Sequence, residues 1–377
     1  MKRVVLATTA LVVAGGMAVA DVAVTGSAEL GAAGTKGKAG DDGTPVDGFR
    51  LHRDIRVKFG LSGETDTGLS FGASADFHNA GKYRAGGTEG AVHVTGAFGT
   101  LTLGNTDGAF DKALTELDAG GALTDDHTGH PGFNGNSGLD GFTDNGGSIL
   151  RYDYTIGGIT TSISGEHHKI SSTSADGANT QANSRSAFGA GVAWSGDVAG
   201  VGMGVGIGYQ SGKKTVLGAD NAVTTDDARH KASILGASVS VDLGNGISLA
   251  ANHSRKGHDI VTGAAGAADD DSDTSIAHSG MQIAYTVGDI TVALNGGSSK
   301  EKVTGHSTDL TDDNRAYASR EVAKSGVGVS VVYGLGEGVS FKVGVGSGRT
   351  KTSYVNANAT DTVDKESSWS AGLAFSF

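Results

Sequence analysis

The stretch FRLHRDIRVKF, residues 49–59, sets Phe49, Leu51, Ile55, Val57 and Phe59 in one phase and Arg50, His52, Asp54, Arg56 and Lys58 in the other. Successive side chains leave a strand on opposite sides, so a period of two marks a strand with two unlike faces. One face here is apolar and the other charged, in a chain whose formal net charge is -12. Arg53 alone breaks the alternation, a cation in the apolar phase.

The same design recurs along the chain. From Val22 onward, sixteen segments of roughly 10–15 residues alternate apolar with small or polar side chains. Val201, Met203, Val205, Ile207 and Tyr209 share one phase with Gly202, Gly204, Gly206 and Gly208 opposite; Trp369, Leu373, Phe375 and Phe377 stand against Ser370, Gly372 and Ser376. Connections alternate in length. Short turns at 64–68, 157–158, 244–246, 288–289 and 334–338 are interleaved with longer Asp/Asn/Thr-rich loops such as 80–88, 170–184, 260–273 and 304–319. An up-and-down membrane barrel has this pattern, with short periplasmic turns and long extracellular loops. A soluble sandwich is the competing architecture, but its strands usually run about 5–6 residues, and these are longer. Closure into a barrel also removes every open sheet edge, as a lipid environment requires. The expected fold is therefore all-β, a sixteen-stranded antiparallel transmembrane barrel.

The ends and the composition agree with export. Lys2 and Arg3 precede an apolar run from Val4 to Val19, and Ala18-Val19-Ala20 precedes Asp21. A basic start, an apolar run and small residues at a cleavage point read as a signal peptide over 1–20, leaving 21–377 as the barrel. The chain holds no cysteine, so disulfides and thiolate metal sites are excluded. Its 64 glycines are paired with only 2 prolines, unlike low-complexity disorder. No later apolar run approaches the ~18 residues of a membrane helix. Trp194, Tyr209, Tyr285, Tyr333, Phe341, Phe375 and Phe377 lie in the apolar phase near segment ends, where membrane interfaces favour aromatics.

RVKFGLSGETDTGLSFGASADF (56–77) followed by VTGAFGTLTLGNTDGAF (94–110) resembles the second-to-fifth strand region of alphaproteobacterial, Rhodobacter-type general porins of the Gram-negative outer membrane. The terminal Phe377 resembles the outer-membrane assembly signal of that class. The resemblance implies a sixteen-stranded pore, a homotrimer, and a third long loop folded inward to narrow the channel. It also implies outer-membrane lipid and lipopolysaccharide as surroundings and the outer-membrane assembly machinery as a partner through Phe377.

The loop at 106–147 is far longer than an ordinary connection, and loops of that size are usually functional. It is the third long loop, and it carries Asp107, Asp111, Glu116, Asp118, Asp125, Asp126, Asp140 and Asp144 against Lys112. If the apolar phase of 49–59 meets lipid, then Arg50, His52, Arg56 and Lys58 face the lumen, together with His93 and Arg151 of later strands. A cationic wall facing an acidic loop would set a transverse field across the constriction, and charge clusters there decide ion preference. The plain alternative is that a wet lumen tolerates these charges without using them.

Other constellations are weaker. Asp269, Asp270, Asp271 and Asp273 and the acidic third loop are candidate Ca²⁺ ligands, although such runs are more often solvated. Adjacent His167 and His168 point to opposite faces and do not share a metal. The alternating glycines match neither GxGxxG before a helix nor GxxxxGK[ST], and no G-x-S-x-G or H-E-x-x-H motif occurs. The expected function is passive diffusion of small hydrophilic solutes and ions, with a mild cation preference, no enzymatic activity, no required cofactor and no nucleic-acid partner. A barrel hydrolase, or an adhesin or structural barrel without a conducting pore, is the alternative.

Overall fold

The computed structural model describes residues 9–10, 21–39, 45–78, 88–117, 122–123, 148–173, 180–216, 228–262, 271–306, 319–354 and 360–377. From Asp21 onward it holds sixteen strands. The first eight are β1 (Asp21–Ala39), β2 (Pro45–Glu64), β3 (Ser70–His78), β4 (Thr88–Gly96), β5 (Gly99–Gly104), β6 (Ile149–Ile156), β7 (Ile159–Thr173) and β8 (Thr180–Val198). The second eight are β9 (Val201–Val216), β10 (Ala228–Asp242), β11 (Ile247–Thr262), β12 (Asp271–Val287), β13 (Ile290–His306), β14 (Arg320–Gly336), β15 (Val339–Tyr354) and β16 (Thr362–Ser376).

Each strand pairs antiparallel with its chain neighbours, and β16 pairs with β1 from Ser367–Lys36 to Ser376–Ser27. The backbones of Gly26 and Phe377 exchange two further hydrogen bonds, 3.1 and 2.8 Å. The sheet is thereby closed, leaving no edge for lipid to meet. Ahead of β1, Thr9 and Ala10 pair with Val24 and Ala23. No helix among the described residues is long and apolar enough to cross a membrane; the crossing elements are strands.

Alternation assigns the faces. Met281, Leu294, Phe188, Leu235 and Leu51 are outward and exposed, Leu51 at 82 %. Ala284, Ala293, Ser330 and Ser370 of the other phase are buried. Turns of two to five residues close one end; at Gly157-Gly158 both residues have positive φ (58° and 79°), the geometry that suits the twist of a tight hairpin.

All sixteen expected segments are strands, but several run past the apolar alternation at the loop end. β7 continues to Thr173 and β8 begins at Thr180, so the loop expected over 170–184 is mostly ladder. Ladder hydrogen bonds need no apolar side chains, and beyond the lipid band water wets both faces. The pattern used to find the strands therefore ends before the strands do. β3, β4, β5 and β6 are described over 9, 9, 6 and 8 residues. The described β2–β3 ladder runs from Glu64–Ser70 to Arg56–His78. Arg53 is exposed on the outer face, opposite Leu30. Arg349 is likewise outward, exposed near the loop end of β15.

Candidate functional site

The chain leaving β5 turns into the barrel. Asn105 N–H donates to the Gly90 carbonyl (2.8 Å), and Gly104, at φ +143°, presses the strand end against the backbone of Gly90 and Ala91. A single short helix follows, α1 (Ala109–Ala113). It lies on a strip of lumen-facing glycines. A Cβ on Gly191 would run into the Ala109 carbonyl oxygen and one on Gly206 into that of Ala113, while one on Gly208 would come within 2.9 Å of Phe110 and Leu114. The alternating glycines of GVGMGVGIG (200–208) therefore do more than keep a lumen wide: they let backbone approach backbone.

The docking is apolar at its centre and hydrogen-bonded at its ends. Phe110 is fully buried with Ala113, Leu114, Ala232 and Ile234. Burying a side chain of this kind is worth about 1.5–3 kcal/mol. Buried backbone donors need partners, and wall serines supply them. Ala109 N–H donates to Ser164 Oγ (2.8 Å), Thr115 N–H to Ser238 Oγ (2.7 Å) and Leu123 N–H to Ser370 Oγ (3.3 Å). Leu117 covers Gly280, and Leu123 covers Gly31 and Gly372. The segment thus touches β7–β10 and β12 and then the β16–β1 seam, on opposite sides of the bore.

Arg151 secures the root of this segment. Its guanidinium donates through Nε to the Asp153 carboxylate (2.9 Å) and through Nη1 to Thr106 Oγ1 (2.9 Å) and the Asp107 carbonyl (2.5 Å). Asp153 also accepts from Ser162 Oγ (2.6 Å). Arg151 is 8 % exposed, so its charge is taken up by the loop root rather than presented to the bore. Phase places Arg151 on the inner wall with the other cations, and there Asp153, two residues on and on the same face, pairs with it.

The wall half a barrel away from α1 is charged but mixed. On β2, Arg50 is exposed opposite Ala33, and Lys58 is exposed between Thr25 and Asp76. His52 Nε2 meets Glu29 (3.1 Å), whose other carboxylate oxygen accepts from Lys342 Nζ (3.1 Å). Arg56 reaches Asp76 (3.5 Å) and contacts His78 Nδ1 (3.5 Å), and His78 Nε2 contacts Asp54 (2.9 Å). These residues border a recess of about 510 Å³ lined by Glu29, Asp54, Arg56, Ser340 and Lys342. His93 is exposed on β4 and packs against Gly72, where a Cβ would meet its Cε1 at 2.5 Å. Sequence reasoning missed Glu29, Asp76, His78 and Lys342. The available signal was a lone charge in an otherwise small inner phase, as in Ser27, Glu29, Gly31, Ala33 and in Ser340, Lys342, Gly344, Gly346.

Of the acidic loop residues, Asp107 stands at the root, Asp111 in α1, and Glu116 is exposed beside a second recess of about 440 Å³ that includes Ser240 and Gln282. Asp118, Asp125, Asp126, Asp140, Asp144, Asp269 and Asp270 lie outside the described residues. Among the described residues, no group of three or more His, Asp or Glu side chains is placed to hold a metal ion. The arrangement gives a bore lined by small and hydroxyl side chains, crossed by an inward segment, with charges facing each other across it.

Comparisons with known proteins agree with this architecture. The chain is 32 % identical over 139 residues to a porin of Rhodobacter capsulatus; the match covers 36 % of this chain and 45 % of that protein, so it spans under half of the relative. A refined porin structure superposes with a TM-score of 0.54 at 20 % identity, covering 94 % of this chain and all of the other. A mutant of the Rh. blastica porin gives a TM-score of 0.51 at 17 % identity over the same shares. The family model for Gram-negative porins matches residues 7–353. A match over that length places the chain in the Gram-negative porin family.

Proposed function

We propose that the barrel is an outer-membrane channel through which small hydrophilic solutes and ions diffuse passively, with a mild preference for cations. The observation that carries this reading is the inner phase: small, hydroxyl or charged side chains line the bore, and the described part of the third loop, 105–117 and 122–123, lies against the inner wall. Wide barrels of this kind select by size and charge, and no covalent step is needed. The described charges of the far wall nearly cancel. Arg50, Arg56, Lys58 and Lys342 stand against Glu29, Asp54 and Asp76, while Asp107, Asp111 and Glu116 of the loop stand against Lys112 alone. The balance of these described charges favours cations. The reading includes removal of residues 1–20 on export and Ca²⁺ as an optional ligand of the acidic loops. It also includes recognition of Phe377 by the assembly machinery and a homotrimer.

The test is a reversal potential in planar bilayers under a salt gradient. Wild type should favour cations, and a potential favouring anions would overturn the preference. Arg56→Glu with Lys58→Glu should move the potential further towards cations. Glu29→Gln should move it the other way, since Lys342 and His52 lose their shared carboxylate. Unchanged potentials in both variants would reduce the β2 wall to solvated charge.

A further inference from the structure

The inner wall at β15, β16, β1 and β2 holds a recess that free diffusion does not require. Leu123 of the third loop seats on Gly31 and Gly372, in the inner row that reads Lys342, Gly372, Gly31, His52. The next inner row towards the short turns reads Ser340, Ala374, Glu29, Asp54. The row after it reads Ser376, Ser27, Arg56, His78. Ser27, Ser340, Ala374 and Ser376 are small and form a shallow floor. The recess above them holds about 510 Å³, inside the ~300–1,000 Å³ of small-molecule sites.

The charges at its margin have an order. Glu29 and Asp54 are direct cross-strand partners in the inward phase, and both border the recess. Directly opposed side chains have Cβ atoms about 4.5–5.5 Å apart, and like charges so placed destabilise a sheet. Glu29 meets His52 and Lys342, each at 3.1 Å, and Asp54 meets His78 at 2.9 Å. His52 and Lys342 stand in the row on the loop side and His78 stands on β3, so the side towards Ser27 belongs to the recess. Arg56 follows Asp54 by two residues on the same face, about 6.6 Å along the strand. It contacts Asp76 and His78 at 3.5 Å each, longer than the ~2.7–2.9 Å of a charge-assisted bond. Its side chain is 46 % exposed, so the guanidinium keeps its fork of donors for a carboxylate. Two carboxylates beside one guanidinium, over a floor of small side chains, are complementary to an ammonium and a carboxylate carried on one carbon.

We propose that this recess binds zwitterionic α-amino acids. The ammonium sits between Glu29 and Asp54, the carboxylate accepts two N–H bonds from Arg56, and the side chain lies over Ser27, Ala374 and Ser376. An ammonium has three donors and can bridge both carboxylates, which turns a like-charge pair into a bridged one. The small floor imposes little shape, so the recess selects the class of solute and not one side chain. The inference rests on the channel reading and deepens it: passage of this class becomes saturable, while other small solutes diffuse freely.

The test uses the purified full-length protein in neutral detergent, with L-alanine as probe and binding read by ligand-observed NMR titration. L-Lactate, with a hydroxyl in place of the ammonium, and L-alaninamide, without the carboxylate, are the matched controls. Wild type should bind L-alanine about tenfold more tightly than either, the difference expected for one charge-assisted bond. Arg56→Gln should bind L-alanine about tenfold more weakly than wild type, and Arg56→Lys should recover part of the loss. Asp54→Asn should weaken L-alanine binding by a similar factor. Ala374→Leu, which fills the floor and leaves every charge in place, should abolish binding. Equal affinity for L-lactate would make this an anion site, equal affinity for L-alaninamide a cation site, and either would overturn the proposal. Wild-type affinity in Arg56→Gln or Ala374→Leu would overturn it too. The three-probe comparison needs no variant, so it decides the matter even where a substitution disturbs folding, which circular dichroism of each variant reports. Single-channel steps of wild type are recorded in parallel. Steps without L-alanine binding defeat the recess and spare the porin reading; binding without steps does the reverse.

Discussion

Gly206→Leu combined with Gly191→Val is expected to drive α1 off the wall and widen the channel while leaving the barrel closed. At both positions the new Cβ falls on a carbonyl oxygen of the helix, Ala113 for Gly206 and Ala109 for Gly191. These are backbone atoms, which no rotamer change can remove. Overpacking of side chains alone costs about 1–3 kcal/mol, and a backbone clash gives less room for relaxation. The helix can yield, because the bore lies on its other side. Neither glycine has a positive φ, so the strands themselves accept the substitutions without strain. Release of Phe110 and Leu114 from the strip should forfeit about 3–6 kcal/mol of apolar burial, counting about 1.5–3 for each. The expected result is larger single-channel conductance and faster liposome swelling with large sugars, with strand content by circular dichroism unchanged. Wild-type conductance in a folded variant would mean that the segment does not limit flow.

Arg151→Ala should be the most damaging single change at the loop root. The guanidinium is buried and holds Asp153, Thr106 and the Asp107 carbonyl together. Removing one partner of a buried pair leaves an uncompensated charge and typically costs about 3–5 kcal/mol. Asp153 would keep the Ser162 hydroxyl as a donor, too little to balance a carboxylate. The double variant Arg151→Ala with Asp153→Ala should recover part of that loss in urea unfolding, and the difference isolates the pair. A loss below about 1 kcal/mol in the single variant would show that water reaches Asp153 and that the root is looser than its contacts imply.

The strands were legible because a membrane barrel writes its two faces into a period of two. FRLHRDIRVKF gives β2 directly, and the alternating apolar residues of 201–209 give β9. What was not legible follows from the same fact. Period two tells which face a residue takes, but not what meets it there. Gly206 and Gly208 read as small lumen residues; that they seat a helix depends on where Ala109–Ala113, far upstream in the chain, comes to rest. Arg151 read as part of a cationic wall; period two sets Asp153 on the same face, but the further contacts to Thr106 and the Asp107 carbonyl depend on where the loop root comes to rest. Glu29 and Lys342 lie 313 residues apart and become neighbours only when β16 closes onto β1. Ring closure, an event of the whole chain, therefore decides the charge pattern of the wall that β2 contributes to. Arg53, the residue that alternation did not explain, stays on the outer face, opposite Leu30 and exposed.

Single-channel recording of the purified wild-type protein in a planar bilayer addresses the central claim most directly. The account predicts discrete, long-lived conductance steps that scale linearly with bulk electrolyte conductivity, as a water-filled bore requires. A folded, membrane-inserted protein that gives no steps would contradict it.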